Sequence, residues 1–210
     1  MSNGQIRLEV CGLTINWTVA EAKKHPDQPS GDGYVIQRRS DQVLFAVADG
    51  TGSGWSAAEA TQDCLTELDS PHNQGLEADF QRCHLRLQGG RGAALGLVGV
   101  EPETAMMTWA AVGDIHGLLL RGDCRHRVRQ AGMLQRPGTI GISFQGIHAQ
   151  SHPLAAGDLV ILSTDGLRRD YVHVTDMSGD ASQIAERTLQ TFRRPADDSL
   201  VLTFDVTPSS

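Results

Sequence analysis

The chain has little of what marks several functional classes. Aromatic residues fill only 5% of its 210 positions, too few for the stacking platforms on which single-stranded nucleic acids are held. Basic residues are in deficit, with 18 Lys and Arg against 25 Asp and Glu and a formal net charge of -7. That balance excludes a non-specific nucleic-acid binder, which must neutralise phosphates, and a basic membrane-surface protein. No long hydrophobic run occurs. The longest apolar stretch, Ala93–Val100 (AALGLVGV), carries two glycines and falls far short of the ~20 residues that a bilayer span needs. The start, MSNGQIRLEV, has neither the basic opening nor the apolar segment of a signal peptide. Cysteine is sparse, and Cys11, Cys64, Cys83 and Cys124 form no CxxC and meet no His at zinc spacing. They read as reduced thiols in a cytoplasmic protein, not as a disulfide frame or a zinc site.

What is present suits a packed core. Hydrophobic residues make up 40% and charged residues 20%, a composition that supports one domain over residues 1–210 and rules out a disordered tail. No internal repeat or linker interrupts it. Short β-like runs separated by turn residues predict a hairpin over 6–10 and 13–20 and another over 34–39 and 43–48. Apolar residues at helical spacing predict helices over 55–68, Gly75–Leu87 and 180–192. Further strands are expected at Ala93–Val100, 105–112, 115–120, 126–130, 148–152, Leu159–Ser163 and 199–206. Blocks of antiparallel strands with helices inserted in groups give an α+β class, with helices packed on sheet faces.

The chemistry concentrates in acids that close apolar strands. They are Asp32 in Ser30-Gly-Asp-Gly-Tyr34, Asp49 in Val47-Ala-Asp-Gly-Thr-Gly-Ser-Gly54, Asp165 in Leu162-Ser-Thr-Asp-Gly166, and Asp197 in Pro195-Ala-Asp-Asp-Ser199. Strand ends at one sheet edge can gather side chains that are distant in sequence. Carboxylates so gathered repel one another unless a cation neutralises them. Oxygen-only donors suit Mg²⁺ or Mn²⁺ rather than zinc, and two such ions ~3.5–4 Å apart would activate a water for in-line attack on phosphorus. Asp-Gly is also the commonest turn dipeptide, and spacing alone does not separate the two readings. The run Gly50-Thr-Gly-Ser-Gly54 lacks both the Lys-Ser/Thr ending of a P-loop and the GxGxxG spacing. Its bare backbone instead lets the Gly50 carbonyl approach a metal.

In order along the chain, Ser30-Gly-Asp-Gly-Tyr34, Ala48-Asp-Gly-Thr-Gly-Ser-Gly54, Gly157-Asp-Leu-Val-Ile-Leu-Ser-Thr-Asp-Gly166 and Asp197-Asp-Ser-Leu-Val201 resemble the successive motifs of the metal-dependent PPM (type 2C) Ser/Thr protein phosphatases. The bacterial SpoIIE/RsbU/RsbX branch is the nearest, and small size makes the chain most like its RsbX-type stressosome feedback serine phosphatases. The resemblance spans residues 24–206. It implies a four-layer αββα sandwich, with two antiparallel β-sheets flanked by helices and the metals at one sheet edge. It further implies that Asp49 bridges two Mn²⁺ or Mg²⁺ ions and that the Gly50 carbonyl binds the first. Asp165 and Asp197 would hold the second, and Asp32 would act through water on the first. Asp114, in Ala111-Val-Gly-Asp-Ile115, matches a third-metal position but is equally a hairpin turn. Asp198 reads as a supporting hydrogen-bonder.

The expected activity is hydrolysis of phosphoserine or phosphothreonine by direct attack of a metal-bridging hydroxide. By resemblance, the substrate is a phosphorylated STAS-domain regulatory protein of a stressosome or partner-switching pathway; the composition gives no part to nucleic acid or membrane, and a monomer is favoured with the oligomeric state left open. The alternative is a catalytically weak phosphoprotein-binding module on the same fold. It is motivated by one departure, since no early Arg stands where eukaryotic members grip the phosphate. Lys23, Lys24 and His25 lie nearby, but a charge run of this kind usually faces water. His116 reads either as a general acid or as a structural histidine, His148 and His152 as exposed edge residues. Arg168-Arg169-Asp170 reads as a basic lip or a polar loop, and 168–180 is the one stretch with room for a flap.

Overall fold

The alternation of apolar residues along the central strands sets the layering. In β4 (Val43–Gly50) the side chains of Val43, Phe45 and Val47 fall on one face and those of Leu44, Ala46 and Ala48 on the other, and all six are buried. A strand covered on both faces reads as a continuous apolar run, and β5 (Ala93–Val100) does the same. The computed structural model describes residues 1–70, 74–122, 128–174 and 176–209. Cys124 and the first two residues of the strand expected at 126–130 lie outside the described residues.

Two antiparallel sheets form the centre. The first runs β1 (Ser2–Leu8), β2 (Leu13–Ala22), β12 (Ser199–Pro208), β11 (Leu159–Ser163), β7 (His116–Arg121), β8 (Val128–Gly132). The second runs β10 (Gln150–Pro153), β6 (Met106–Val112), β5, β4, β3 (Asp32–Arg38), and the two-residue β9 (Gln135–Arg136) pairs in parallel with β6. Their facing sides enclose one core, in which the Phe45 and Phe204 rings stack with centroids 4.6 Å apart. Such a pair adds about 1 kcal/mol beyond the area it buries. Helices α1 (Trp55–Asp69) and α2 (Gly75–Leu87) cover the outer face of the second sheet, packing Cys64, Leu68, Phe80 and Cys83 onto Leu44, Leu95 and Leu97. Across the molecule α3 (Tyr171–Val174) and α4 (Ala181–Phe192) cover the first sheet. Asp180 and Gln183 close a capping box at the start of α4. The result is the four-layer αββα sandwich.

Most expected elements are found, with shifted ends. β1 starts at Ser2, and a 3-10 turn at Glu9–Cys11 joins it to β2 in place of a two-residue turn. β3 begins at Asp32 because the ladder continues to the pair Asp32↔Asp49, where the sequence suggests a turn. The 148–152 strand is Gln150–Pro153 on the edge of its sheet. There His148 is exposed, whereas His152 is half-buried against Trp109. Cys11, Cys64 and Cys83 are free thiols. Among the described residues no helix is long and apolar enough to cross a membrane.

One buried ion-pair network binds the second sheet to its helices. Arg39 Nη1 donates to Asp79 Oδ2 at 2.6 Å with both side chains 1% exposed, Arg39 Nη2 donates to the Leu68 carbonyl at 2.8 Å, and Arg82 Nη2 donates to Asp79 Oδ1 at 2.9 Å. Removing one partner of such a pair leaves an uncompensated buried charge. Asp79→Asn is therefore expected to cost about 3–5 kcal/mol in urea unfolding. A loss below about 1 kcal/mol would mean that the network carries no such weight.

Candidate active site

The β3–β4 ladder sets Asp32 and Asp49 directly opposite each other at one end of the second sheet. The turn after β11 brings Asp165 to the same end of the sandwich, and the loop entering β12 brings Asp197. Asp49, Asp165, Asp197 and Asp114 line one cleft of about 490 Å³ with Thr51, Gly52 and Arg136. Asp49 stands close enough to Asp32 and Asp165 for both charges to act on its carboxyl. Four of the five sequence-selected aspartates thus line the cleft, and Asp32 lies behind Asp49, 8% exposed.

Two glycines make this convergence sterically possible. A Cβ on Gly50 would overlap the Ala57 carbonyl in the first turn of α1. A Cβ on Gly166 would overlap the Asp198 carbonyl, where the 165–166 and 197–198 turns cross. Only a residue without a side chain allows either approach. Asp198 is buried and ties the loops together, Oδ1 accepting from the Lys24 backbone N–H and Oδ2 from that of Gly31, each at 2.8 Å. Thr164 Oγ1 donates to Asp32 Oδ2 at 2.7 Å. The Ser-Thr-Asp-Gly motif contains that threonine, yet only its position under Asp32 reveals the role.

The electrostatics follow from crowding. Burial, then the charges of Asp32, Asp165 and Asp197, push the Asp49 carboxyl up to about 9. Burial and the neighbouring acids push Asp32 up to about 7 against the opposing Thr164 bond. Burial and Asp197 raise Asp165. Asp49 therefore holds a proton it would shed in water, which is how unneutralised carboxylates relieve repulsion. Among the described residues no three His, Cys, Asp or Glu side chains are gathered into one ready-made ion shell. The donor set nevertheless fits hard divalent cations, because every donor is an oxygen and, among the described residues, no Lys, Arg or His forms an ion pair with Asp32, Asp49, Asp165 or Asp197.

The other selected residues have partners of their own or lie outside the cleft, Asp114 being at its edge. Asp114 sits in the β6–β7 turn, ion-paired to Arg169. Arg168 lies over the Phe192 ring and near Asp170, so the lip is largely neutralised internally. Lys23 and His25 are exposed and do not line the cleft. His116 is half-buried at the start of β7, outside the cleft lining, and burial and Arg169 lower its pKa, leaving it neutral at pH 7. Tyr171 is fully buried under the first sheet, which anchors the stretch expected to form a flap.

Antiparallel sheets between helical layers, with acids at one edge, make up the PPM phosphatase architecture. The chain belongs to the family described as Stage II sporulation protein E (SpoIIE), which matches residues 39–207. It is 25% identical over 105 residues to the phosphoserine phosphatase RsbX of Bacillus subtilis (strain 168), a match covering 50% of this chain and 53% of that protein. The chain thus spans about half the length of that curated relative. A chain of the structure described as "The bacterial stressosome: a modular system that has been adapted to control secondary messenger signaling" aligns with a TM-score of 0.76 at 24% identity, covering 90% of this chain and 98% of that one. RsbX in complex with magnesium aligns with a TM-score of 0.73 at 20% identity, covering 92% and 96%. Both likenesses are of fold.

Raised carboxyl pKa values have a measurable consequence without metal. Their folded values exceed the ~3.9 of an unfolded Asp, so their contribution to stability is fully present below that value and is lost as pH rises through about 7 for Asp32 and about 9 for Asp49. In EDTA, melting temperature should fall between pH 5 and 9, and Asp49→Asn should flatten the fall. A melting temperature independent of pH over that window would contradict the crowding.

Proposed function

We propose that this chain is a metal-dependent protein phosphatase that hydrolyses phosphoserine or phosphothreonine on a regulatory protein. The observation that carries the reading is the meeting of Asp49, Asp165 and Asp197 in one cleft, with Asp32 paired to Asp49 across the β3–β4 ladder, in a chain of the SpoIIE family. Asp49 would bridge two cations, with the Gly50 carbonyl on the first and Asp165 and Asp197 on the second. Asp32, its orientation set by Thr164, would act from behind. Asp114 would take a third ion only if Arg169 released it.

The chemistry that a bound pair of Mn²⁺ or Mg²⁺ supplies is neutralisation of the phosphoryl oxygens and a lowered pKa for water in the cleft. The protein's own part is to hold the acids in place before substrate arrives. The Asp198 clamp and the two glycine crossings fix the loops, so little reorganisation is left for the reaction. The Thr51, Gly52, Gly113 and Gly138 backbone at the cleft leaves room for a phosphorylated side chain presented on a protein surface. The description of RsbX as a phosphoserine phosphatase, together with the stressosome relative, supports a phosphorylated STAS-domain substrate. We read residues 1–210 as one monomeric domain acting in the cytoplasm.

The test is release of phosphate from a phosphoserine STAS-domain protein under Mn²⁺ titration. Wild type should require the metal. Asp49→Asn should lose at least about 100-fold in kcat/KM, since changes even outside the ligand sphere cost 10–100-fold. Equal rates would show that the site is misassigned.

A further inference from the structure

Among the described residues lining the carboxylate cleft, Arg136 is the one Lys, Arg or His. It stands in β9, a strand the sequence does not announce, within the same cleft as Asp49, Asp165 and Asp197. We propose that Arg136 grips the phosphoryl oxygens of the substrate, the part for which no early arginine is present. The proposal rests on the phosphatase reading above and names a residue that reading does not use.

The support for Arg136 is built from backbone. Its carbonyl accepts from the Gly113 N–H at 3.0 Å, and Val112 pairs with it in the β6–β9 bridge. Gln135 Nε2 donates to the Ile115 carbonyl at 2.8 Å. Beyond it, Thr139 and Ser143 exchange backbone hydrogen bonds at 2.9 and 2.8 Å, closing the loop that follows. One guanidinium nitrogen, Nη2, donates to the Gln145 carbonyl at 3.0 Å. That bond occupies one nitrogen of an exposed side chain, and among the described residues Arg136 forms no ion pair with a carboxylate. A planar fork on a fixed strand suits two phosphoryl oxygens at once, and its ordering cost is already met by the fold.

The other arginines near the cleft are ion-paired or do not line it. Arg169 is paired to Asp114. Arg194 Nη1 donates to the Asp165 carbonyl at 3.1 Å. Arg91 holds its Nη1 over Gly52 but does not line the cleft, which makes it the natural competitor.

Hydrolysis of p-nitrophenyl phosphate with Mn²⁺, and calorimetric titration of inorganic phosphate into the Mn²⁺-loaded protein, test the assignment on wild type, Arg136→Ala, Arg136→Lys and Arg91→Ala. Arg136→Ala should lower kcat/KM about 10- to 100-fold, the factor matching one charge-assisted hydrogen bond. The loss should fall mainly on KM, as for binding made equally in ground and transition states. Phosphate affinity should weaken by the same factor, with the melting temperature unchanged. Arg136→Lys should recover part of both, and Arg91→Ala should stay within about twofold of wild type, as expected for a change costing under ~0.5 kcal/mol. Phosphate binding that is absent from wild type, unchanged in Arg136→Ala, or lost in Arg91→Ala instead, overturns the assignment. Wild type that binds phosphate without turnover sinks the phosphatase reading alone, and the titration then judges Arg136 by itself.

Discussion

Carboxyl groups that would repel one another in ionised form are held together at one end of the sandwich, and the rest of the site depends on that constraint. Asp49 feels the charges of Asp32, Asp165 and Asp197 at once, and burial and that crowding push its carboxyl up to about 9. Side chains alone would not stay so placed, since each could turn toward water. The backbone denies them that freedom. The ladder sets Asp32 against Asp49, and Asp198 fastens the chain before β3 to the turn before β12. Free energy stored in such crowding is tolerable only when the surrounding scaffold over-determines it.

The scaffold does so through layered packing. α1 presses its first turn onto Gly50, so the helix that covers the second sheet also fixes the loop after Asp49. The Arg39–Asp79 pair, in contact with the Leu68 carbonyl, ties the far end of the β3–β4 hairpin to α1 and α2. A displacement of either helix would therefore be felt at the acids, because packed interiors transmit strain. The same logic explains why a strand of only two residues can hold Arg136 in the lining of the cleft. Its rigidity comes from hydrogen bonds to β6 and the neighbouring loop, not from its own length.

The strongly periodic elements were legible from the chain alone. Val43 to Val47 alternate between two buried faces, and Ile184, Ala185 and Thr188 mark one stripe of α4, so element type followed from spacing. The acids were legible too, since each stands at a strand end beside a glycine or a second acid. Less readable were features with no local period. β9, the half-buried setting of His152 and the ion pair between Asp114 and Arg169 depend on partners far away in sequence. The turn reading of Asp32 gave way to a strand because its pairing partner, Asp49, supplies the ladder bonds that local propensity does not encode.

By itself, then, the order of residues determined the class of fold, the layering and the set of aspartates at strand ends, because local periodicity and turn chemistry are properties of neighbours. Tertiary structure decided which acids share one cleft, which serve as clamps, and which arginine lines that cleft with them. Those outcomes are distances between segments more than a hundred residues apart, as for Gly31 and Asp198. Only the packing of both sheets sets such distances, since no local preference spans them.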